Sequence, residues 1–217
     1  MAEQITNHTS TMTETITEKS PAATTDEALM KEFQGGSEAA FVALMKRHKE
    51  PIINFLYRFV GNYDDAVDLA QETFVRLFKY GQTYLPDVKF STWLYTIASN
   101  LARTELKKSW RRNSVSFSSM GDDDSEEFGT MIPDGDYLPD ERVDHTMIAQ
   151  RVQRALMSVS PSYREVVVLR DIQQLSYEEI AEVTKSEIGT VKSRINRGRK
   201  QLQEQLQGLY KDMFSGE

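Results

Sequence analysis

The chain contains no cysteine, so neither a disulfide framework nor a thiolate metal site can be built. Its three histidines, at positions 8, 48 and 145, are scattered and match no metal-ligand spacing. No run of about 18 apolar residues occurs, which excludes a membrane-spanning helix. The opening MAEQITNHTSTMTETITEKS lacks the apolar core of a secretory signal. With no cysteine and no signal, a reducing cytoplasm is the expected compartment. No P-loop or glycine-rich phosphate cradle is present. The acids of GDDDSEE (121–127) and PDGDY (133–137) lie in a segment rich in Pro, Gly and Ser, without a histidine or a rigid scaffold to organise a metal. An enzyme is therefore not expected, and neither is a cofactor.

What is present is charge, unevenly spread. The 217 residues hold 26 Lys and Arg against 33 Asp and Glu, a net −7. Residues 1–27 carry one basic and five acidic residues, hence −4, and residues 113–142 carry one and nine, hence −8. Residues 28–112 carry thirteen and nine, hence +4, and residues 143–213 carry eleven and nine, hence +2. The two acidic stretches show no periodicity and offer too little apolar surface to offset the entropy of ordering. They are expected to be a disordered N-terminal extension (1–27) and a flexible acidic linker (113–142). The basic-leaning blocks are the patterned ones, and no segment sustains strand alternation. The expected fold is all-α, with two small helical domains at 28–112 and 143–213.

In the first block, Thr24 is a candidate N-cap with Glu27 three residues on and Gly35 as a stop. Ser37 caps a second helix running to Gly61, with Phe41, Leu44, Met45, Ile52, Leu56 and Phe59 inward and Pro51 expected to kink or divide it. A third helix starts at Asn62 or Asp64, with Val67, Ala70, Phe74, Leu77 and Phe78 as its apolar face and Gly81 at its end. After a loop at 81–89, Leu94, Ile97, Ala98 and Leu101 mark a fourth at spacing i, i+3, i+4, i+7.

In the second block, Val152, Ala155 and Leu156 share one helix and Pro161 opens another. Ser176 and Glu179 form a capping-box pattern before Ile180, Ala181 and Val183. A short turn at Thr184–Lys185 follows, and Ser186 is a candidate cap for the next helix. On that helix Ile188, Val191, Ile195 and Leu202 fall on one side, and Thr190, Ser193, Asn196, Arg197 and Lys200 on the other. GTVKSRINRGRK (189–200) holds five basic residues and no acid. Two short helices, a tight turn and a polar-basic outer face describe a helix-turn-helix, whose second helix fits the major groove of B-DNA. Arginine and lysine can read guanine, asparagine can read adenine, and the remaining cations meet phosphates. The acidic segments would then lower non-specific attraction to DNA.

YREVVVLRDIQQLSYEEIAEVTKSEIGTVKSRINRGRKQL resembles region 4 of the extracytoplasmic-function (ECF) sigma factors, the two-domain initiation subunits of bacterial RNA polymerase. DAVDLAQETFVRLFK (65–79) resembles their region 2.2, and FSTWLYTIASN (90–100) resembles regions 2.3 to 2.4. The resemblance spans about 28–112 and 146–206, with both motifs in the family's order. It implies a factor that binds core polymerase and directs promoter-specific initiation. Region 2.2 docks on the clamp helices of the largest polymerase subunit, which implies Asp65, Asp68, Leu69, Gln71, Glu72 and Phe74, with Arg76 nearby. Contact with the melted minus-ten element implies the stripe Trp93, Thr96, Asn100, Arg103 and Lys107, where an aromatic and cations suit separated bases; Trp93 also suits the core. The loop 81–89 implies capture of a flipped base. Minus-35 recognition implies Thr190, Lys192, Ser193, Arg194, Asn196, Arg197 and Lys200. A dedicated anti-sigma factor is a further implied partner.

Two departures from the family pattern stand out. Thr104 replaces an acid, removing a salt bridge within region 2.4. Thr184, Lys185 and Ser186 replace an apolar residue, a glycine and another apolar residue in the turn. Either the turn takes another geometry or a lysine holds positive φ there, at a cost of roughly 1 kcal/mol. The competing reading, a stand-alone helix-turn-helix regulator of duplex DNA, leaves the acidic 65–76 helix and the Trp93 stripe without a purpose.

Overall fold

The computed structural model describes residues 24–114 and 143–214. The acidic stretch between them and most of the N-terminal extension lie outside the described residues. Among the described residues all regular structure is helical. The order is α1 (Asp26–Gln34), α2 (Glu38–Val60), α3 (Tyr63–Tyr80), α4 (Phe90–Ser114), α5 (Val143–Ser158), α6 (Pro161–Val167), α7 (Tyr177–Thr184) and α8 (Ile188–Phe214).

Short polar side chains start these helices by accepting orphan amides. Ser37 Oγ takes Ala40 N at 3.3 Å and Asn62 Oδ1 takes Asp65 N at 3.0 Å. For α1 the cap is Thr25, whose Oγ1 takes Ala28 N at 3.2 Å, and not Thr24. The helix therefore begins at Asp26, inside the stretch expected to be disordered. Asp26 has a reason to be ordered: its carboxylate binds His48 Nε2 at 2.8 Å and pairs with Arg47, tying α1 to α2. Burial pushes the Asp26 carboxyl up, but the hydrogen bonds and charges of His48 and Arg47 outweigh it and hold it below its ordinary value. Gly61 ends α2 at φ 91°, a conformation that costs a glycine little.

Pro51 lies within α2 and does not divide it. The missing amide costs one ladder bond. Buried side chains on both sides, Leu44 before and Ile52, Ile53, Phe55 and Leu56 after, hold the helix continuous across it. Each such side chain, fully buried, is worth roughly 1.5–3 kcal/mol, so the packing outweighs the lost bond. VVVL (166–169) is helical, and Val168–Ile172 forms a π-helical turn in which Gln173 N reaches Val168 O at 3.0 Å.

The two helical blocks share an interface. Arg164 Nη1 donates to Phe59 O at 2.8 Å and Gln153 Nε2 to Tyr57 O at 2.9 Å. Tyr95 OH donates to Gln173 Oε1 at 2.6 Å, and Lys89 Nζ pairs with Glu179 Oε1 at 2.8 Å. Burial raises the Tyr95 hydroxyl far above its ordinary pKa, so it stays a donor. Several apolar residues expected inside are not enclosed, the half-buried Ile97, Ala181 and Leu202 among them. Phe78 is 53% exposed, while Phe41, Met45 and Val67 are only partly buried.

Candidate nucleic-acid interface

The helix-turn-helix is built by local bonds. Ser176 Oγ accepts from Glu179 N at 3.1 Å, and Glu179 Oε2 accepts from Ser176 N at 2.7 Å, completing the capping box at the start of α7. Burial pushes Glu179 up, but its bonds to Lys89 and Ser176 prevail and hold it below its ordinary value. At the other end of α7, Ser186 N reaches Ala181 O at 3.0 Å and Lys185 N reaches Glu182 O at 3.4 Å, a Schellman closure. Lys185 carries the left-handed conformation it needs, at φ 51° and ψ 44°. The turn thus keeps the glycine-type geometry with a lysine in place, at roughly 1 kcal/mol. Ser186 does not cap α8. It lies two residues before the helix, and its hydroxyl donates to Thr184 O at 3.3 Å.

Helix α8 is anchored by buried Val191 and Ile195. At Gly198 a Cβ would come within 2.6 Å of Val167 Cγ2 and 3.1 Å of Tyr163 O, so only glycine lets α8 approach α6 this closely. Ile188, expected on the buried side, is 39% exposed at the start of α8. Lys192, Ser193, Asn196, Arg197 and Lys200 are exposed together, and Thr190 is half-buried beside them. Ser193 Oγ donates to Thr190 O at 2.9 Å, leaving its lone pairs outward. Arg197 Nη1 reaches Tyr163 OH at 3.3 Å. Arg194 stands apart from this row: it is half-buried and its Nη1 donates to Ser186 Oγ at 3.2 Å. Arg199 faces back, its Nε on Asp171 Oδ2 at 3.0 Å, pinning α8 to the π turn.

On α4, Asn100 and Lys107 are exposed, whereas Trp93 and Thr96 are half-buried. The Trp93 ring lies 5.4 Å from Tyr84 and 6.3 Å from Phe90, so it packs on the core's edge. Thr96 and Thr104 both hydrogen-bond one turn back, to Thr92 O and Asn100 O at 2.8 Å. Arg103 is turned to the other block: Nε donates to Glu165 Oε1 at 3.1 Å and Nη2 to Val183 O at 2.9 Å. The preceding loop includes a 3-10 turn at Gly81–Thr83. Gln34 Nε2 holds it through Gly81 O at 3.0 Å and Tyr84 O at 2.9 Å, and Leu85 stands out at its tip.

On α3, Asp64, Asp65, Asp68, Gln71 and Glu72 are exposed, Leu69 is half-buried and Phe74 is buried. Glu72 pairs with Arg76 at 2.9 Å. Burial and repulsion from Glu105, Asp68 and Asp64, opposed by Arg112, push Asp65 up. Beside this acidic row, Phe41, Met45, Val67, Phe74 and Phe78 line an apolar groove of about 490 Å³ between α2 and α3, rimmed by Lys49 and Lys79. The exposure of Phe78 and Val75 there went unread in the sequence, because apolar periodicity does not tell which face a neighbour covers.

Residues 44–112 match the family model for sigma-70 region 2, and residues 149–202 that for sigma-70 region 4. The chain is similar to the ECF RNA polymerase sigma factor SigW of Bacillus subtilis (strain 168), with 33% identity over 180 residues, covering 83% of this chain and 96% of that protein. It is similar to the ECF RNA polymerase sigma-E factor of Escherichia coli (strain K12), with 31% identity over 190 residues, 85% and 96% of the two chains. Among solved structures, CnrH in complex with the cytosolic domain of CnrY shares the fold at TM-score 0.61 and 24% identity, over 84% of this chain and 97% of that one. The sigma factor RpoE in complex with the anti-sigma factor NepR, from Bartonella quintana, does so at TM-score 0.59 and 24% identity, over 82% and 98%.

Proposed function

The chain belongs to the ECF sigma factors of RNA polymerase, and from that premise we propose which of its residues carry each step of promoter-specific initiation. The factor binds core polymerase and promoter DNA and delegates the chemistry of RNA synthesis to the polymerase. In our reading α3 docks on the clamp helices of the largest polymerase subunit. Asp65, Asp68, Gln71 and Glu72 steer and fix that encounter electrostatically. Leu69 and the groove face of Phe74 supply the apolar contact.

Helix α4 takes the melted minus-ten strand. Asn100 and Lys107 stand ready on its exposed side, and Trp93 and Thr96 lie at the edge of the loop that receives a flipped base. Arg103 joins them once it leaves Glu165 and Val183. Helix α8 reads the minus-35 duplex through Lys192, Ser193, Asn196, Arg197 and Lys200. Thr190 and Arg194 flank this row and serve phosphates, which position the helix without specifying sequence. The exposed polar-basic row of α8, set on a helix whose opposite side is buried, is the observation that carries this reading.

We propose that a factor acting on polymerase and DNA works in the cytoplasm. No described helix is long and apolar enough to cross a membrane. A dedicated anti-sigma factor is a further proposed partner, by analogy with the Bartonella quintana complex. The test is reconstitution. The purified protein should co-elute with core polymerase and make its transcription start at defined promoters. Specific binding of duplex DNA by the protein alone, with no effect on polymerase, would instead identify a stand-alone regulator.

A further inference from the structure

The exposed row of α8 carries long side chains, and ordering each of them against DNA costs free energy. At about 100° per residue, Lys192 and Arg197 form the two edges of that row, about 140° apart, with Asn196, Lys200 and Ser193 between them. Each edge meets a tyrosine from another helix of the same block. Arg197 Nη1 reaches the Tyr163 hydroxyl of α6 at 3.3 Å. Lys192 Nζ lies 5.8 Å from the centre of the Tyr177 ring, at the start of α7, within the range of a cation–π attraction. Both tyrosines are half-buried. Tyr163 sits where the glycine at 198 lets α8 approach α6, and Tyr177 packs against the core.

The Tyr177 ring is itself braced. The Arg170 guanidinium carbon lies 4.9 Å from its centre, and Arg170 Nη1 donates to Leu175 O at 2.7 Å. The next residue, Asp171, takes Arg199 Nε at 3.0 Å. Arg170 and Asp171 both belong to the π-helical turn Val168–Ile172, a winding that recurs at functional sites, and buried Val168 and Leu169 tie that turn to the core. We propose that Tyr163 and Tyr177 are positioning residues for promoter recognition: Tyr163 aims Arg197 through its hydroxyl, and Tyr177 aims Lys192 through its ring face. The inference rests on the reading of α8 as the minus-35 helix, and neither tyrosine need touch DNA. The Tyr163 hydroxyl takes one N–H of the guanidinium and leaves the others for a guanine edge or a phosphate. The aromatic face attracts the ammonium by its quadrupole and supplies no acceptor oxygen, so Lys192 keeps its donors. Both cations then start near their bound positions, and less rotamer freedom is lost on binding.

The experiment is a pair of double-mutant cycles on promoter binding by reconstituted holoenzyme, at one fixed salt concentration. Tyr163→Phe removes only the hydroxyl and should weaken binding roughly two- to fivefold. With Arg197→Ala already present it should add nothing, because the side chain it aims is gone. Tyr177→Leu should weaken binding by a similar factor, roughly two- to fivefold, and add nothing to Lys192→Gln. Tyr177→Phe keeps the ring face and should bind like the parent. The two tyrosines thus give opposite answers to the same exchange, which a merely structural role would not produce. Losses that persist undiminished beside Arg197→Ala and Lys192→Gln would overturn the proposal in favour of a structural role. Tyr177→Phe as damaging as Tyr177→Leu would overturn it in favour of a hydroxyl on DNA, and so would binding indifferent to both Tyr163→Phe and Tyr177→Leu, since nothing is then aimed. Arg197→Ala and Lys192→Gln test the reading of α8 itself. If they weaken binding while the tyrosine variants do not, the positioning inference fails and the reading of α8 stands.

Discussion

Arg164 makes a demanding test of how the fold is held together. It is 4% exposed and pairs with no carboxylate among the described residues; instead it donates to three carbonyl oxygens. Phe59 O, in the last turn of α2, takes Nη1 at 2.8 Å. Met157 O, in the last turn of α5, takes Nη2 at 2.9 Å. Val159 O takes Nε at 3.2 Å and Nη2 at 2.9 Å. One guanidinium thus satisfies the C-terminal ends of helices from both blocks, groups that otherwise lack partners. Replacement by methionine keeps most of the volume and strands three carbonyls, each worth about 1–3 kcal/mol when buried unpaired. Against that stands the recovered cost of desolvating a cation, visible in the lowering of the Arg164 pKa to about 10 by burial. The net expectation for Arg164→Met is a loss of about 2–4 kcal/mol. Urea unfolding followed by far-ultraviolet circular dichroism measures it. The transition should also broaden or split, because a bond between the blocks is gone. Arg164→Lys should recover less than half, since an ammonium cannot span three acceptors in that fork geometry. A loss below about 1 kcal/mol, or full rescue by lysine, would refute the reasoning.

Glu165 supplies a pH test. Burial raises its pKa against the pull of Arg103 and Arg194, so the folded protein holds this proton more tightly than the unfolded chain. Its contribution to stability is then greatest at and below the ordinary glutamate range, and falls as pH rises toward the folded value. Urea midpoints measured from about pH 4 upward should show that decline, and Glu165→Gln should flatten it; an unchanged slope contradicts the assignment. Arg197→Ala should spare the fold and weaken promoter binding by holoenzyme. Loss of a base contact costs roughly 1–3 kcal/mol and relaxes preference at one minus-35 position, whereas loss of a phosphate contact lowers the salt slope by about one, so single-base promoter variants at two salt concentrations decide. Asp68→Arg with Glu72→Arg reverses two exposed charges one turn apart and should weaken competition for core polymerase without loss of helix; undiminished competition would remove α3 from the docking surface.

Local signals in the sequence proved strong where a side chain acts on its own backbone. Ser37, Asn62 and the Ser176–Glu179 box all cap the helices they precede. Thr24, expected as the cap of α1, and Thr25, which caps it, are chemically identical, and the hydroxyl position relative to Ala28 N decides between them. The turn at Lys185 could be read as left-handed with strain or as another geometry, because single-residue φ is decided by the closure around it. Phe41 and Met45 were legible on the apolar face of one helix and Phe78 on that of the next, but not as a groove between them, since nothing local states whether a neighbour covers them. Least legible was the contact between the blocks. Arg164 and Glu165 sit in an apolar run, and their partners Phe59 and Arg103 lie 105 and 62 residues away. No periodicity reports pairings at that separation, so two blocks that pack together read as two independent domains.

The central claim is that one chain confers two separate sequence preferences on core polymerase, through duplex contact by α8 and strand capture by α4. The direct measurement is open-complex formation by core polymerase plus this protein on a randomised promoter library, read by permanganate reactivity and sequencing of the retained DNA. The account predicts two windows of sequence dependence, an upstream one erased by Arg197→Ala with Asn196→Ala and a downstream, permanganate-reactive one erased by Asn100→Ala with Lys107→Ala. A single window, or enrichment that needs no polymerase, would contradict it.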